Sequence, residues 1–246
     1  MERTLFIFEG EKTERLYFKS LERAFFPGEE SRLLASFQND LYELYAQVAE
    51  DEDLDLFELI KELNPSANKD EHLKNLRRDQ VGQIYLFFDF EPKDDQFTGK
   101  NLLNMIRRFD NETELGKLFI SYPMIEAIRD IDNLDEFLCR TVAISDCAGA
   151  IYKKLSADRG SHLYQDAKKI DKKGWQFLIE ANLRKANMLT SGEDALALIS
   201  DQAPLALAQL INDSPRDPLP VLSAFPIFLA DYFGLDVLSS AQRFVK

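Results

Sequence analysis

Five consecutive apolar residues, Ile84-Tyr85-Leu86-Phe87-Phe88, stop abruptly at Asp89-Phe90-Glu91-Pro92. A run of that length without polar alternation suits a strand covered on both faces, which is the habit of parallel sheets whose crossovers are helices. Leu5-Phe6-Ile7-Phe8 is a second such run and halts at Glu9-Gly10, Arg32 to Phe37 reads as another strand, and Lys117 to Ser121 stops at Tyr122-Pro123. Between the runs, apolar residues recur at helical spacing. Tyr17, Phe18, Leu21, Ala24 and Phe25 follow an expected N-cap at Thr13 and end at Pro27-Gly28, and Leu102, Leu103, Ile106 and Phe109 share another helical face. The alternation predicts an α/β fold with a mainly parallel sheet flanked by helices.

Two stretches are read as helical additions to that plan. From Asp40 to Arg78 the chain turns acidic, with helical spacing in Leu41, Leu44, Tyr45 and Val48 and again in Leu56, Leu59, Ile60 and Leu63, which predicts a helical insertion at about residues 40–80. Beyond about Asp135 strand signals fade. Trp175, Leu178, Ile179 and Leu183, then Val221, Leu222, Phe225, Phe228, Leu229, Tyr232 and Phe233, keep helical period, with Pro226 starting or kinking the last helix. The expected organisation is an α/β domain over residues 1–134 and a helical C-terminal region over 135–246.

Charge narrows the function. The 246 residues carry 43 acidic against 30 basic side chains, a formal charge of -13, which opposes loose association with a polyanion because such affinity comes from Lys and Arg displacing counterions. The charge disfavours a general nucleic-acid coat protein; an enzyme that acts on nucleic acid through a local basic track, bound metal or a partner stays open. No apolar stretch approaches the roughly 18 residues of a membrane span and none reads as a leader, so a cytoplasmic protein without membrane contact is expected. The two cysteines, Cys139 and Cys147, fit neither a disulfide framework nor a zinc motif and read as reduced core thiols.

In an open parallel sheet, ligands gather beyond the carboxyl ends of the strands. There stand Glu9, after the first strand, and Asp89 and Glu91, after the central one. Converging carboxylates repel, and a hard divalent cation that takes oxygen ligands and bridges to phosphate relieves the repulsion. Gly10-Glu11-Lys12-Thr13 lacks the glycine spacing of a phosphate-binding P-loop, no G-x-S-x-G elbow occurs, and His72 and His162 lie in polar helical contexts, so serine-hydrolase and zinc chemistry are disfavoured. Glu11 and Glu14 read as first-turn acids favouring a helix N-terminus, and Lys12 as a contact either for phosphate or for a neighbouring carboxylate. The most basic stretch, Lys168-Lys169-Ile170-Asp171-Lys172-Lys173 with Arg159 before it and Arg184-Lys185 after, is either a solvated helix face or a nucleic-acid track. The acidic stretch Glu50 to Asp55 is a candidate partner surface.

The segment Glu9-Gly10-Glu11-Lys12-Thr13-Glu14 followed by Tyr17-Phe18 resembles the E-G-x-x-T-E-x-x-Y-F opening of RloB-like proteins of the TOPRIM superfamily. The resemblance covers roughly residues 4–126. In that superfamily a glutamate ends the first strand and a D-x-D pair ends a later one, matching Glu9 and Asp89, with Glu91 in place of the second aspartate. Tyr122-Pro123-Met124-Ile125-Glu126 is similar to the family's N-P-x-F-E segment, which implies Glu126 as a further site carboxylate; the family's histidine after D-x-D is missing at Pro92-Lys93-Asp94-Asp95. The resemblance implies a TOPRIM-like fold and a nuclease dependent on Mg²⁺ or Mn²⁺. Glu9, Asp89, Glu91 and Glu126 would hold metal, Glu9 would double as general base, and Lys12 would touch phosphate. It further implies DNA or RNA, tRNA included, as substrate, and a role in bacterial anti-phage defence by abortive infection beside an ATPase partner. Two alternatives stay open: a noncatalytic interaction subunit of an ATPase complex, and another metal-dependent nucleotidyl transfer.

Overall fold

The computed structural model describes residues 3–26, 28, 32–37, 40–50, 56–63 and 75–239. Strands β1 (Arg3–Phe8), β2 (Arg32–Ser36), β3 (Val81–Asp89), β4 (Asp110–Asn111) and β5 (Gly116–Ser121) form one sheet in the order β2-β1-β3-β5-β4. The pairings β1–β2, β1–β3 and β3–β5 are parallel, and only the short edge strand β4 runs antiparallel. The protein is therefore α/β with a mainly parallel sheet, and the apolar run at Ile84 to Phe88 lies in its middle. Leu5 to Phe8 are fully buried, as covering on both faces requires. Gly116 enters β5 with φ +114, and a Cβ there would meet Leu86 Cδ1 at 2.7 Å, so the reversal into β5 leaves room for no side chain.

Helix α1 (Thr13–Phe25) follows β1, and helices α2 (Leu41–Glu50) and α3 (Leu56–Leu63) occupy the stretch between β2 and β3. The helical insertion is thus present over those two helices; residues 64–74, within the same expected insertion, and 51–55, within the expected acidic partner surface, lie outside the described residues. Thr13 is not the N-cap: Lys12 holds that position in a helical conformation with no side-chain bond, and Thr13 is the first helical residue. Helix α4 (Gly99–Arg108) is capped by Thr98, whose side chain accepts from the Asn101 amide.

Downstream come α5 (Leu134–Leu138), β6 (Thr141–Val142), α6 (Gly149–Arg159), α7 (Lys172–Ser191), α8 (Ala203–Ala208), β7 (Leu210–Ile211), β8 (Ser214–Pro215), β9 (Leu219–Pro220) and α9 (Ala224–Phe233). This region is not wholly helical. β6 pairs with β9 and β7 with β8, two-residue ladders too short to leave a period in the sequence. Val221 and Leu222, expected in the last helix, are extended: Leu222 exchanges backbone hydrogen bonds with Tyr122, continuing the sheet edge past β5. Pro226 falls in the first turn of α9, where a missing amide costs nothing, so it starts the helix rather than kinking it.

The C-terminal segment also completes the core. Side chains on one face of the sheet, Phe6, Tyr85, Phe87 and Phe119, meet Phe228 of α9 at ring-centroid distances of 5.7, 5.0, 5.2 and 5.7 Å. Phe225 packs on Phe87 at 4.8 Å, and Phe18 of α1 reaches Phe6 at 4.5 Å. Lys117 of β5 pairs with Asp231 of α9 at 2.7 Å, and Trp175 of α7 donates to Ser20 Oγ of α1 at 3.1 Å. Among the described residues, no helix is long and apolar enough to cross a membrane. Of the two cysteines, Cys147 is buried but Cys139 is exposed, because it follows the last turn of α5 at the surface and leaves burial to Phe137. Phe228→Ala should cost about 3–5 kcal/mol in urea unfolding, the range for a fully enclosed aromatic residue; a cost under about 1 kcal/mol would mean that α9 does not seal the sheet.

Candidate metal centre

Because β1, β3 and β5 run parallel, their carboxyl ends share one edge, and the residues just past them meet there. Glu9 keeps the register of β1, its amide donating to Phe87 O at 3.1 Å. Its Oε2 accepts from the Asp89 amide at 2.8 Å, and Asp89 Oδ1 accepts from the Ile125 amide at 2.8 Å. Each carboxylate is thus held by the backbone of the next strand or loop across the edge. Glu14, on the first turn of α1, is buried and accepts from the Gly10 amide at 3.1 Å. Glu126 is also buried, with Oε1 3.8 Å from Lys153 Nζ and Oε2 without any hydrogen-bond donor. All five acids proposed from sequence or found beside them, Glu9, Glu14, Asp89, Glu91 and Glu126, line one cavity of about 680 Å³, with Lys12 and Lys153 on its wall.

Within the cavity the expected ligand trio divides. The carboxylates whose oxygens lie within 4.8 Å of one another are those of Asp40, Glu91 and Asp94, all half-buried, and not Glu9, Asp89 and Glu91. The reason is local backbone geometry. Glu9 and Asp89 are tied to amides, whereas Glu91 leaves the strand with φ +45, and the following turn, closed by the Asp94 amide on Glu91 O at 3.1 Å, brings Asp94 beside it. Asp40 and Asp94 were not foreseen. Asp40 was within reach of the same rule that found Glu9, since it stands four residues past the end of β2.

Burial and mutual repulsion shift these acids toward their protonated forms. Glu9 is pushed up to about 8, first by burial and then by Glu91, Glu14 and Asp40, against the lowering effect of the Asp89 amide. Burial, then Glu9, Glu14 and Glu126, raise Asp89 well above the carboxylate range. Glu91 and Asp94 are raised by burial and by neighbouring carboxylates, and Glu126 by burial in spite of Lys153. Among the described residues, neither Glu9 nor Asp89 forms a salt bridge. The donor set is all oxygen and its carboxylates ionise side by side only at a cost, so the residues suit a hard divalent cation held by Asp40, Glu91 and Asp94.

The expected basic track is largely consumed by structure. Arg159 makes a two-pronged pair with the buried Asp130, Arg184 pairs with Asp194, and the buried Lys185 donates to Phe137 O and Arg140 O at the end of α5. Burial lowers Lys185 to about 7. Lys172 lies over the Phe25 ring, which leaves Lys168, Lys169 and Lys173 exposed. Lys12 is exposed at the cavity mouth and His162 is exposed; His72 lies outside the described residues.

The raised Glu9 fixes a pH dependence. A carboxyl whose folded value, about 8, exceeds its ordinary 4.5 contributes stability that is complete below 4.5 and is lost as pH rises through 8. In metal-free buffer, Glu9→Gln should therefore gain on wild type between these limits, its Tm advantage at pH 8.5 exceeding that at pH 4.5 by about 3 °C or more. Parallel Tm profiles for the two proteins would refute the half-buried, proton-holding state of Glu9.

Comparison with protein-family models, curated proteins and solved structures finds no match, and the reading of this site rests on its own geometry and on the residues that form it.

Proposed function

We propose that the chain is a Mg²⁺- or Mn²⁺-dependent nuclease whose reaction centre is the acidic cavity at the carboxyl edge of the sheet. The observation that carries this reading is the pair Glu9 and Asp89, half-buried next to each other without a cationic partner among the described residues, beside three carboxylates spaced to hold a metal ion. Seven acids gathered at one sheet edge, Glu9, Glu14, Asp40, Asp89, Glu91, Asp94 and Glu126, burden the fold, and natural proteins retain such groups where chemistry needs them. The resemblance of Glu9 to Phe18, and of Asp89 with Glu91, to the RloB-like TOPRIM pattern points the same way.

In this scheme Asp40, Glu91 and Asp94 would hold the cation. The bound cation would supply charge to the phosphoryl oxygens and acidify an attacking water. Glu9, ionised once a cation's charge offsets the neighbouring carboxylates that raise it, would take the proton that the water loses as its oxygen bonds to phosphorus. Asp89, whose burial favours the protonated form, returns a proton to the alkoxide that departs when the other P–O bond breaks. The Asp89 and Ile125 amides keep the two carboxyl groups in place through both transfers. Lys12 at the mouth meets phosphate.

The net charge of -13, and the loss of Arg159, Arg184 and Lys185 to internal contacts, make capture of a long polyanion by the chain alone weak. A partner with basic surface, the ATPase of an anti-phage system in the resembling family, would supply what is missing. The same observation favours the second reading, a noncatalytic subunit that lends its acidic surface to such a complex. Cleavage of DNA and RNA with Mn²⁺, with and without the ATPase encoded beside it, separates the two. A nuclease should lose at least about 100-fold in rate on Asp89→Asn, and Asp40→Asn combined with Asp94→Asn should weaken Mn²⁺ binding in calorimetry. Undiminished cleavage and Mn²⁺ affinity in these variants would sink the nuclease reading.

A further inference from the structure

The wall of the cavity opposite in sequence to the carboxylates is the start of α6. This helix has 11 residues, its N-cap Ala148 makes no side-chain cap bond, and its first turn carries no acid. The Ile151 and Tyr152 amides both donate to Ala148 O, while those of Gly149 and Ala150 have no acceptor among the described residues. Ala148, Gly149 and Ala150 are exposed, Ala148 and Gly149 line the cavity, and a Cβ built on Gly149 would meet nothing within 4 Å. Free amides at the positive end of a helix favour an anion. Lys153, one turn further on, lines the same cavity.

The placement of this helix is fixed from behind. The buried Asp130 accepts from Tyr152 Oη at 2.8 Å and from the Arg159 guanidinium, and Arg129 donates to Lys153 O and to Ser156 Oγ. Gly160, which ends the helix, lies so close to Arg129 O that a Cβ would stand 1.9 Å from it. Helix α6 is thus clamped onto the segment that carries Glu126.

Glu126 gives the independent sign of a ligand. It is 4% exposed, it lines the cavity, and its Oε2 has no donor, whereas buried polar atoms are nearly always paired. A carboxylate oxygen is satisfied by a hydrogen-bond donor. The group that fits both halves of the site is a phosphoryl group with a hydroxyl beside it: its anionic oxygens face the Gly149 and Ala150 amides and Lys153, and its hydroxyl donates to Glu126 Oε2.

We infer that the N-terminus of α6, Lys153 and Glu126 form a subsite for a hydroxyl-bearing phosphoryl group of the substrate. This rests on the phosphoester reading of the cavity and narrows it. Two sources carry the same chemistry, the sugar 2′-hydroxyl next to a diester and the proton of a phosphate monoester. Glu126 acts here as an acceptor and not as a required metal ligand.

The test is a ¹⁵N NMR titration of the full chain in EDTA, so that neither metal nor turnover enters. The probes are inorganic phosphate, the ribo dinucleotide UpU and its 2′-deoxy counterpart. Phosphate or UpU should shift the Gly149 and Ala150 amide resonances. Gly149→Pro removes one amide at a position where proline suits a helix, and together with Lys153→Ala it should weaken that binding about fivefold or more at unchanged Tm. Glu126→Ala should do the same, while Glu126→Gln, which keeps an acceptor, should stay within about twofold. UpU binding tighter than the deoxy probe assigns the donor to the sugar; equal binding of the two, with Glu126-dependent binding of phosphate, assigns it to the monoester proton. Absence of any shift at Gly149 and Ala150, indifference to Gly149→Pro, or equal losses in Glu126→Ala and Glu126→Gln would overturn the subsite. Binding in EDTA without metal-dependent cleavage would leave the subsite standing and remove the nuclease reading instead.

Discussion

Two backbone amides organise the site: that of Asp89 donates to Glu9 Oε2, and that of Ile125 donates to Asp89 Oδ1, each at 2.8 Å. Both bonds depend on the parallel alignment of β1, β3 and β5, which brings the carboxyl ends of three strands to one edge and lets the side chain after one strand reach the backbone after the next. An antiparallel neighbour would have placed one of these ends on the far side of the sheet. The bonds favour the charged carboxylates while burial and crowding oppose them, and opposition wins for Glu9 and Asp89. The result is a pair of acids held in place yet protonated above their ordinary range.

Such an arrangement costs stability, and the other side of the sheet edge offsets it. The aromatic layer made by Phe6, Tyr85, Phe87, Phe119, Phe225 and Phe228 joins the α/β part to the last helix in one continuous core. The buried Lys117–Asp231 pair and the Tyr122–Leu222 bridge attach the same helix at β5. The C-terminal residues therefore support the segment from Tyr122 to Glu126 from which the Ile125 amide and Glu126 reach the cavity. Removal of packing far from the carboxylates would disturb their positions through this segment.

How legible the protein was in its sequence varies by scale. The strands at Leu5 to Phe8, Ile84 to Phe88 and Lys117 to Ser121 were legible because burial on both faces demands unbroken apolar runs. Glu9 and Asp89 were legible because the runs end at them. Asp94 was not, since its nearness to Glu91 comes from a turn with positive φ; Asp40, four residues past β2, obeys the strand-end rule, but only the position of β2 in the sheet brings it to Glu91. The basic stretch misled for a related reason: charge in sequence does not reveal that Arg159 faces Asp130 or that Lys185 caps α5 from inside the core.

The sequence by itself determined the α/β class, the central strand, and the presence of acids at strand ends, because each follows from local pattern: a run, a period, a stop. Only the tertiary structure decided which acids share a cation-sized space, which lysines remain free for phosphate, and that Val221 and Leu222 extend a sheet edge rather than a helix. Those outcomes depend on contacts between residues far apart in the chain, Asp40 with Glu91 and Tyr122 with Leu222, and such contacts are set by how the elements pack, which no stretch of neighbouring residues encodes.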